Sequence, residues 1–204
     1  EKYVRQNFEI FFEKYLPKNN DIVVEFGSGI GCETLYISNL IGNNGKIYAF
    51  EPFSDVYDFL IETIELNNLK NVIPIKKALF RDSNGIGFRS DLDQWLSGKI
   101  DLNYKNKVPS ICLNDLVKEE NLEKVDFCKI NIEGSEKFIV ENSNLFFDKC
   151  KNIAIECHDF VDGAEFKTFQ LVKEFLISKD YTINNSERNK YPWDKYYVFG
   201  SKKY

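Results

Sequence analysis

The chain has 204 residues, a formal net charge of -5 and a pI of about 5.1, with 43% hydrophobic and 29% charged residues. That length holds one α/β domain with a real core but not two, and the composition excludes a disordered chain. The acidic balance, with no long basic run, speaks against nucleic acid or an anionic membrane as the main partner. The five cysteines, Cys32, Cys112, Cys128, Cys150 and Cys157, are odd in number and none stand at C-x-x-C spacing, so a zinc site or a disulfide framework is not expected. With no bilayer-length apolar stretch and no signal-peptide pattern, the expected location is the cytoplasm.

In chain order, residues 2–16 read as an amphipathic helix with Val4, Phe8, Phe11, Phe12 and Leu16 on one face, forming an N-terminal extension over residues 1–20 before a domain spanning 21–204. Ile22 to Phe26 is a short apolar strand, and Cys32 to Ile41 a helix stopped by Gly42-Asn43-Asn44-Gly45. Lys46 to Phe50 is a second strand, followed by a helix from a Ser54 cap to about Asn67 and a third strand at Val72 to Lys76. Further strands are expected at 125–130, 153–157, 181–184 and 196–200, with helices near 135–144 and 164–179. This alternation predicts a mostly parallel seven-stranded sheet with crossover helices. The last two strands lack a helix between them, so a hairpin and one antiparallel edge strand are expected. Residues 81–110 break the rhythm and read as a short hairpin plus an excursion of the kind that forms lids, with Trp95 in it as a gate or a pin.

The sharpest motif is VVEFGSGIGCET at residues 23–34, where Gly27, Gly29 and Gly31 follow a strand and open a helix. Glycine there permits positive φ and close approach of a ligand to the backbone. The spacing is G-x-G-x-G rather than the G-x-G-x-x-G of dinucleotide binders, which disfavours an NAD-linked oxidoreductase. Glu25 precedes the loop; a carboxylate there repels a pyrophosphate but welcomes a cationic head group. Glu51, at the end of the second strand, is placed to accept hydrogen bonds from ribose hydroxyls. A nucleoside with a cationic end and no pyrophosphate describes S-adenosylmethionine.

These residues, and several blocks beyond them, resemble the FkbM family of class I methyltransferases from about Asp21 to Gly200. The segments carrying the likeness are AFEPFSDVYDFLIETIELNNLKNV (49–72), KKALFRDSNG (76–85), VPSICLNDLV (108–117), VDFCKINIEGSE (125–136) and IAIECHDF (153–160). The resemblance implies a single-domain Rossmann-like fold in which Glu25, Gly27, Ser28, Gly29 and Gly31 line the methionine end. It places Glu51 and Pro52 by the ribose and Ala78 by the adenine. It further implies O-methylation of a hydroxyl on a sugar or related small metabolite. Asn131 and Asn114 stand where the family pattern carries Asp, and Asn is neither a carboxylate base nor a strong ligand for a hard cation. No metal is therefore assigned.

Acceptor-side groups are expected at the ends of the fourth and fifth strands: Lys129, Asn131, Glu133, Glu156 and His158. His158, the only histidine, is the candidate base. Lys129 on a doubly buried strand needs a partner, for which Glu156 is the candidate. The alternatives are a binding module that keeps the pocket without the chemistry, and an N- or RNA methyltransferase of the same fold.

Overall fold

The computed structural model describes residues 9–89, 99–100, 105, 107–161, 163 and 167–203. Seven strands form the main sheet: β1 (Ile22–Phe26), β2 (Lys46–Phe50), β3 (Val72–Ile75), β9 (Val125–Ile130), β10 (Cys150–Glu156), β11 (Thr182–Asn185) and β12 (Tyr197–Ser201). Their spatial order is β11-β12-β10-β9-β1-β2-β3. All pairings are parallel except those of β12, which runs against both β10 and β11. The reversed strand thus lies one place in from the rim. Short strands β4 (Ala78–Leu79) and β8 (Ser110–Ile111) pair with each other, and β5 (Ile86–Arg89) pairs with β6 (Lys99–Ile100) and β7 (Lys107–Val108). These account for the described part of the 81–110 excursion; Trp95 lies outside the described residues.

The central strands read as continuous apolar runs because both faces are covered. Alternate residues go to opposite sides. Val24, Phe26, Tyr48, Phe50, Cys128, Ile130, Ile153 and Ile155 pack with α3 (Leu113–Glu119), α4 (Asn144–Lys149) and α5 (Phe169–Ser178). Val23, Ile47, Ala49, Phe127, Ala154 and Phe199 meet α1 (Cys32–Ile41), α2 (Ser54–Leu66) and residues Ile10–Phe12.

The N-terminal helix expected over 2–16 is not seen in its described part. Glu9–Phe12 is a single 3-10 turn, and residues 13–16 carry no helix. Two local forces end it. Pro17 disfavours helical backbone at Leu16. The aromatic side chains are also drawn onto the sheet: Tyr15 stacks on Phe127 with centroids 5.6 Å apart, Phe12 lies 6.0 Å from the same ring, and the Tyr15 hydroxyl donates to Asp21 at 2.7 Å. The helix expected near 135–144 is likewise split into a 3-10 turn (Ser135–Val140) and α4. Ser54 does not cap α2; its hydroxyl accepts from Lys76 at 2.7 Å. All five cysteines are free, and four are buried. Among the described residues no helix is long and apolar enough to cross a membrane.

Phe127 joins the N-terminal aromatics to the sheet and is 1% exposed. Phe127→Ala is expected to lower unfolding free energy by about 3–5 kcal/mol, read by urea denaturation; a loss of the size seen for surface changes would contradict this packing.

Candidate functional site

The chain leaves β1 towards β2 and β3, then returns to lay β9 on the other side of β1. This reversal opens a crevice at the carboxyl ends of the strands, where ligands of open α/β sheets sit. The glycine loop closes its floor. Gly27 (φ 74°) and Ser28 extend the β1–β2 ladder by donating their N–H groups to the Phe50 carbonyl at 3.0 Å each. A Cβ on Gly27 would lie 1.8 Å from the Asn131 carbonyl oxygen, so no other residue fits. Gly29 (φ 55°) differs: a Cβ there would meet nothing within 4 Å, because its open side is the crevice. Gly31 (φ 90°) caps α1, and a Cβ there would strike Leu60 at 2.9 Å and Thr63 at 3.1 Å. Its role is helix packing; contrary to the sequence expectation, it is not on the crevice wall.

The crevice has a volume of about 340 Å³, within the range of small-molecule sites. Gly27, Ser28, Gly29, Glu51, Pro52, Ala78, Lys129, Asn131 and Glu133 all line it, joined by Glu33, Phe53, Lys77 and Leu79, which sequence reasoning passed over. Glu51 is 5% exposed, and its carboxylate accepts the N–H of Gly29 at 3.1 Å and of Phe53 at 3.0 Å. Burial raises its carboxyl above the ordinary value, against the pull of those two backbone bonds. Each carboxylate oxygen keeps a lone pair for a further donor. The Oδ1 atom of Asn131 is buried without a hydrogen-bond partner and so has an open valence at the wall. An open backbone at Gly29, an anchored carboxylate at Glu51 and an unmet acceptor at Asn131 together fit a nucleoside that brings hydroxyls at one end and an ammonium at the other.

Glu25 is corrected in role. It is fully buried beneath the loop, absent from the crevice wall, and accepts from Thr34 Oγ1 at 2.6 Å. Burial raises its carboxyl, and the nearby Lys129 ammonium opposes that rise. The parallel register sets Glu25 directly beside Lys129. Lys129, not paired with Glu156 as expected, lies 3.5 Å from Glu25 Oε1 and donates to the Gly27 carbonyl at 2.8 Å. Burial works against its charge, but Glu33, Glu25 and Glu156 outweigh it and lift its pKa above the usual lysine value. A lysine held as a cation pins the loop; it is not a proton acceptor.

His158 is corrected as well. It is 2% exposed, with Nδ1 2.7 Å from Glu136 Oε1 and Nε2 3.4 Å from Glu133 Oε2. Burial disfavours the imidazolium, yet the bonds to Glu133 and Glu136 overcome it and push the pKa up to about 10. An imidazole already protonated and held at both nitrogens is not a base at neutral pH. Glu136, fully buried, also accepts from the Gly134 N–H and the Thr168 hydroxyl. Glu133 sits at φ 53° and Gly134 at φ 89°, so the chain turns sharply out of β9. Asn114 serves packing: its Oδ1 accepts the Leu145 N–H of α4 at 2.8 Å.

A second cavity of about 230 Å³ shares Glu33 and Asn131 with the wall of the first. The two ends of the described chain build it: Ile10 and Phe11 on one side, and Arg188, Lys190, Tyr191, Trp193, Asp194 and Tyr197 on the other, with Glu156. Tyr191 and Trp193 stack with centroids 4.7 Å apart and planes 4° apart. Among the described residues no group of three or more His, Cys, Asp or Glu is placed to hold a metal.

A parallel sheet with its crevice at the β9–β1–β2 reversal, a G-x-G-x-G floor and a carboxylate ending β2 define a class I methyltransferase, with S-adenosylmethionine as cofactor. The profile of the methyltransferase FkbM domain matches residues 21–183, and the chain belongs to that family. It is similar to the hexuronic acid methyltransferase AglP of Haloferax volcanii, 23% identical over 173 residues, covering 84% of this chain and 70% of that protein. A shorter likeness, 29% over 91 residues, covers 45% of the chain and 34% of a tRNA(Phe) (4-demethylwyosine(37)-C(7)) aminocarboxypropyltransferase from Methanocaldococcus jannaschii. The fold is shared with a methyltransferase FkbM structure from Methylobacillus flagellatus (TM-score 0.60, 13% identity, 91% of this chain and 44% of that one). It is also shared with Aeropyrum pernix fibrillarin bound to S-adenosyl-L-methionine (TM-score 0.55, 17% identity, 92% and 68%).

Two outcomes check this geometry. Gly29→Ala is expected to fold and to bind S-adenosylhomocysteine more than about tenfold more weakly by calorimetry, a loss near 1.4 kcal/mol, whereas Gly31→Ala is expected to lose mainly stability. His158 contributes stability that is complete below its unfolded pKa, near 6.5, and is lost as pH rises through about 10. The stability gap between wild type and His158→Gln is therefore expected to be widest near pH 6 and to narrow towards pH 10 in urea titrations.

Proposed function

We propose that the chain transfers the methyl group of S-adenosylmethionine to an oxygen of a small hydroxylated acceptor of the sugar class, seated in the second cavity. The observation that carries this reading is that the two cavities share Glu33 and Asn131 in their walls, which supports an acceptor space next to the cofactor crevice. The acceptor space has the chemistry of a sugar site. The Tyr191–Trp193 stack offers a flat apolar face to a pyranose ring, and Glu156, Arg188, Lys190 and Asn131 offer partners for its hydroxyls. The likeness to a hexuronic acid methyltransferase points the same way.

When bound, the cofactor supplies a sulfonium methyl group already activated for in-line displacement. The residues of this chain then have three tasks. Glu51 receives the ribose hydroxyls, while Pro52, Ala78 and Leu79 wall the nucleoside end. Asn131 Oδ1 accepts a hydrogen bond from a donor at the junction of the cavities. The aromatic stack and the buried walls fix the acceptor and keep water out, so that alignment supplies much of the rate.

With methyl-labelled S-adenosylmethionine, label is expected in glucuronate, glucose or rhamnose, at oxygen, and neither in small amines nor in an RNA transcript. Transfer to amines or RNA alone, or to nothing in the panel, would overturn the acceptor reading. Trp193→Ala is expected to raise the KM for the sugar at least about tenfold while leaving S-adenosylhomocysteine affinity unchanged.

A further inference from the structure

We propose that Glu156 is the proton acceptor of the transfer, taking the hydroxyl proton of the acceptor held between the two ends of the chain. This rests on the preceding reading of that cavity. A base for the acceptor must reach the acceptor space and be free of its proton. Most of the other groups near the junction fail one of these conditions. His158 is an imidazolium clamped by Glu133 and Glu136, Lys129 is a cation pinned to the Gly27 carbonyl, and Asn131 has no basic site. Glu133 lines the cofactor crevice but not the second cavity. Two acids besides Glu156 do line the second cavity: Glu33, which also lines the cofactor crevice and is assigned as counter-charge to the cationic end of the donor, and Asp194, whose Oδ2 already accepts the N–H groups of Lys190 and Tyr191.

Glu156 is placed differently. It ends β10, 8% exposed, on the wall of the second cavity and not of the first. Strand alternation sets it on the face that carries Lys129 and Asn131. The antiparallel register sets it opposite Tyr197, whose phenol donates a hydrogen bond to its carboxylate. Phe11 and Ile10 cover this end of the sheet. Burial raises the Glu156 carboxyl; the His158 cation, the Tyr197 bond and Lys129 hold the rise in check, and Glu133 adds to it. Glu33, Arg188, Lys190 and Asp194 face the same space. The result is a carboxylate of increased proton affinity.

The step balances without another reactant. As the acceptor oxygen forms its bond to the methyl carbon, the S–C bond breaks and its electron pair stays on sulfur, leaving a neutral thioether. The hydroxyl proton passes to a Glu156 carboxylate oxygen, and solvent takes it when the product leaves. Tyr197 is a positioning residue: its hydroxyl orients the carboxylate and stabilises the charged form.

The test follows kcat against pH for methylation of the sugar panel, together with a carboxyl-carbon NMR titration of the S-adenosylhomocysteine complex. Glu156→Gln is expected to lower kcat by about 10²–10⁴-fold, to remove the acid limb of the pH profile, and to leave S-adenosylhomocysteine affinity unchanged. Tyr197→Phe is expected to lower turnover less than Glu156→Gln does and to move the acid limb to higher pH. In the titration, one glutamate signal absent from Glu156→Gln is expected above the ordinary carboxylate range and to shift on addition of glucuronate. A Glu156→Gln enzyme within about tenfold of wild type with an unchanged acid limb would overturn the assignment, and so would a Tyr197→Phe profile that does not move. If wild type methylates no sugar, the acceptor reading fails by itself. The titration then decides on Glu156: an ordinary value overturns its role.

Discussion

The buried ammonium of Lys129 holds the site together. It reaches from β9 across to β1, bonds the Gly27 carbonyl at 2.8 Å and faces Glu25 at 3.5 Å, with the Phe11 ring 5.0 Å from its nitrogen. Removing one partner of such a pair leaves an uncompensated charge in the core, a loss of several kcal/mol. The pin also fixes a distance. Gly27 lies so close to the Asn131 carbonyl that the loop after β1 and the turn after β9 behave as one piece. On that piece rest the open edge at Gly29, the bond from the Gly29 N–H to Glu51, and the Asn131 amide at the junction of the two cavities.

Seen from that pin, the division of labour among the charged groups becomes clear. Glu25 and Lys129 neutralise each other beneath the loop, and His158 is consumed by Glu133 and Glu136 in closing the turn that leaves β9. The clamp holds Glu133 in a backbone conformation that residues with a side chain seldom adopt. Of the other acids near the junction, Glu33 lines both cavities with Asn131, and Glu156 and Asp194 line the second. A site that commits most of its ionisable groups to architecture leaves few for chemistry.

Much of the fold was legible in the chain because it rests on local signals. The apolar runs at 22–26, 46–50 and 125–130, the glycines after Phe26 and the acid after Phe50 each announce their role within a few residues. What escaped depends on distant partners. The pairing of Lys129 with Glu25 follows from β9 lying beside β1, which neither segment states by itself. The protonation of His158 follows from two carboxylates brought up by the turn after β9. Gly31 looked like its neighbours in the motif, but α2 packs against it and takes it out of the crevice. The N-terminal periodicity was real, yet the sheet and Pro17 claimed its aromatics one turn at a time. The second cavity had no motif of its own, since its outer walls come from the two ends of the described chain.

Under the proposed reading, that last feature separates the donor site from the acceptor site. The first cavity is built mainly from residues 26–56 and 77–79, whereas its neighbour borrows its outer walls from residues 10–11 and 188–197. On the proposed reading, a change of clientele calls for substitutions in those outer segments, while the ones assigned to the common reagent stay untouched.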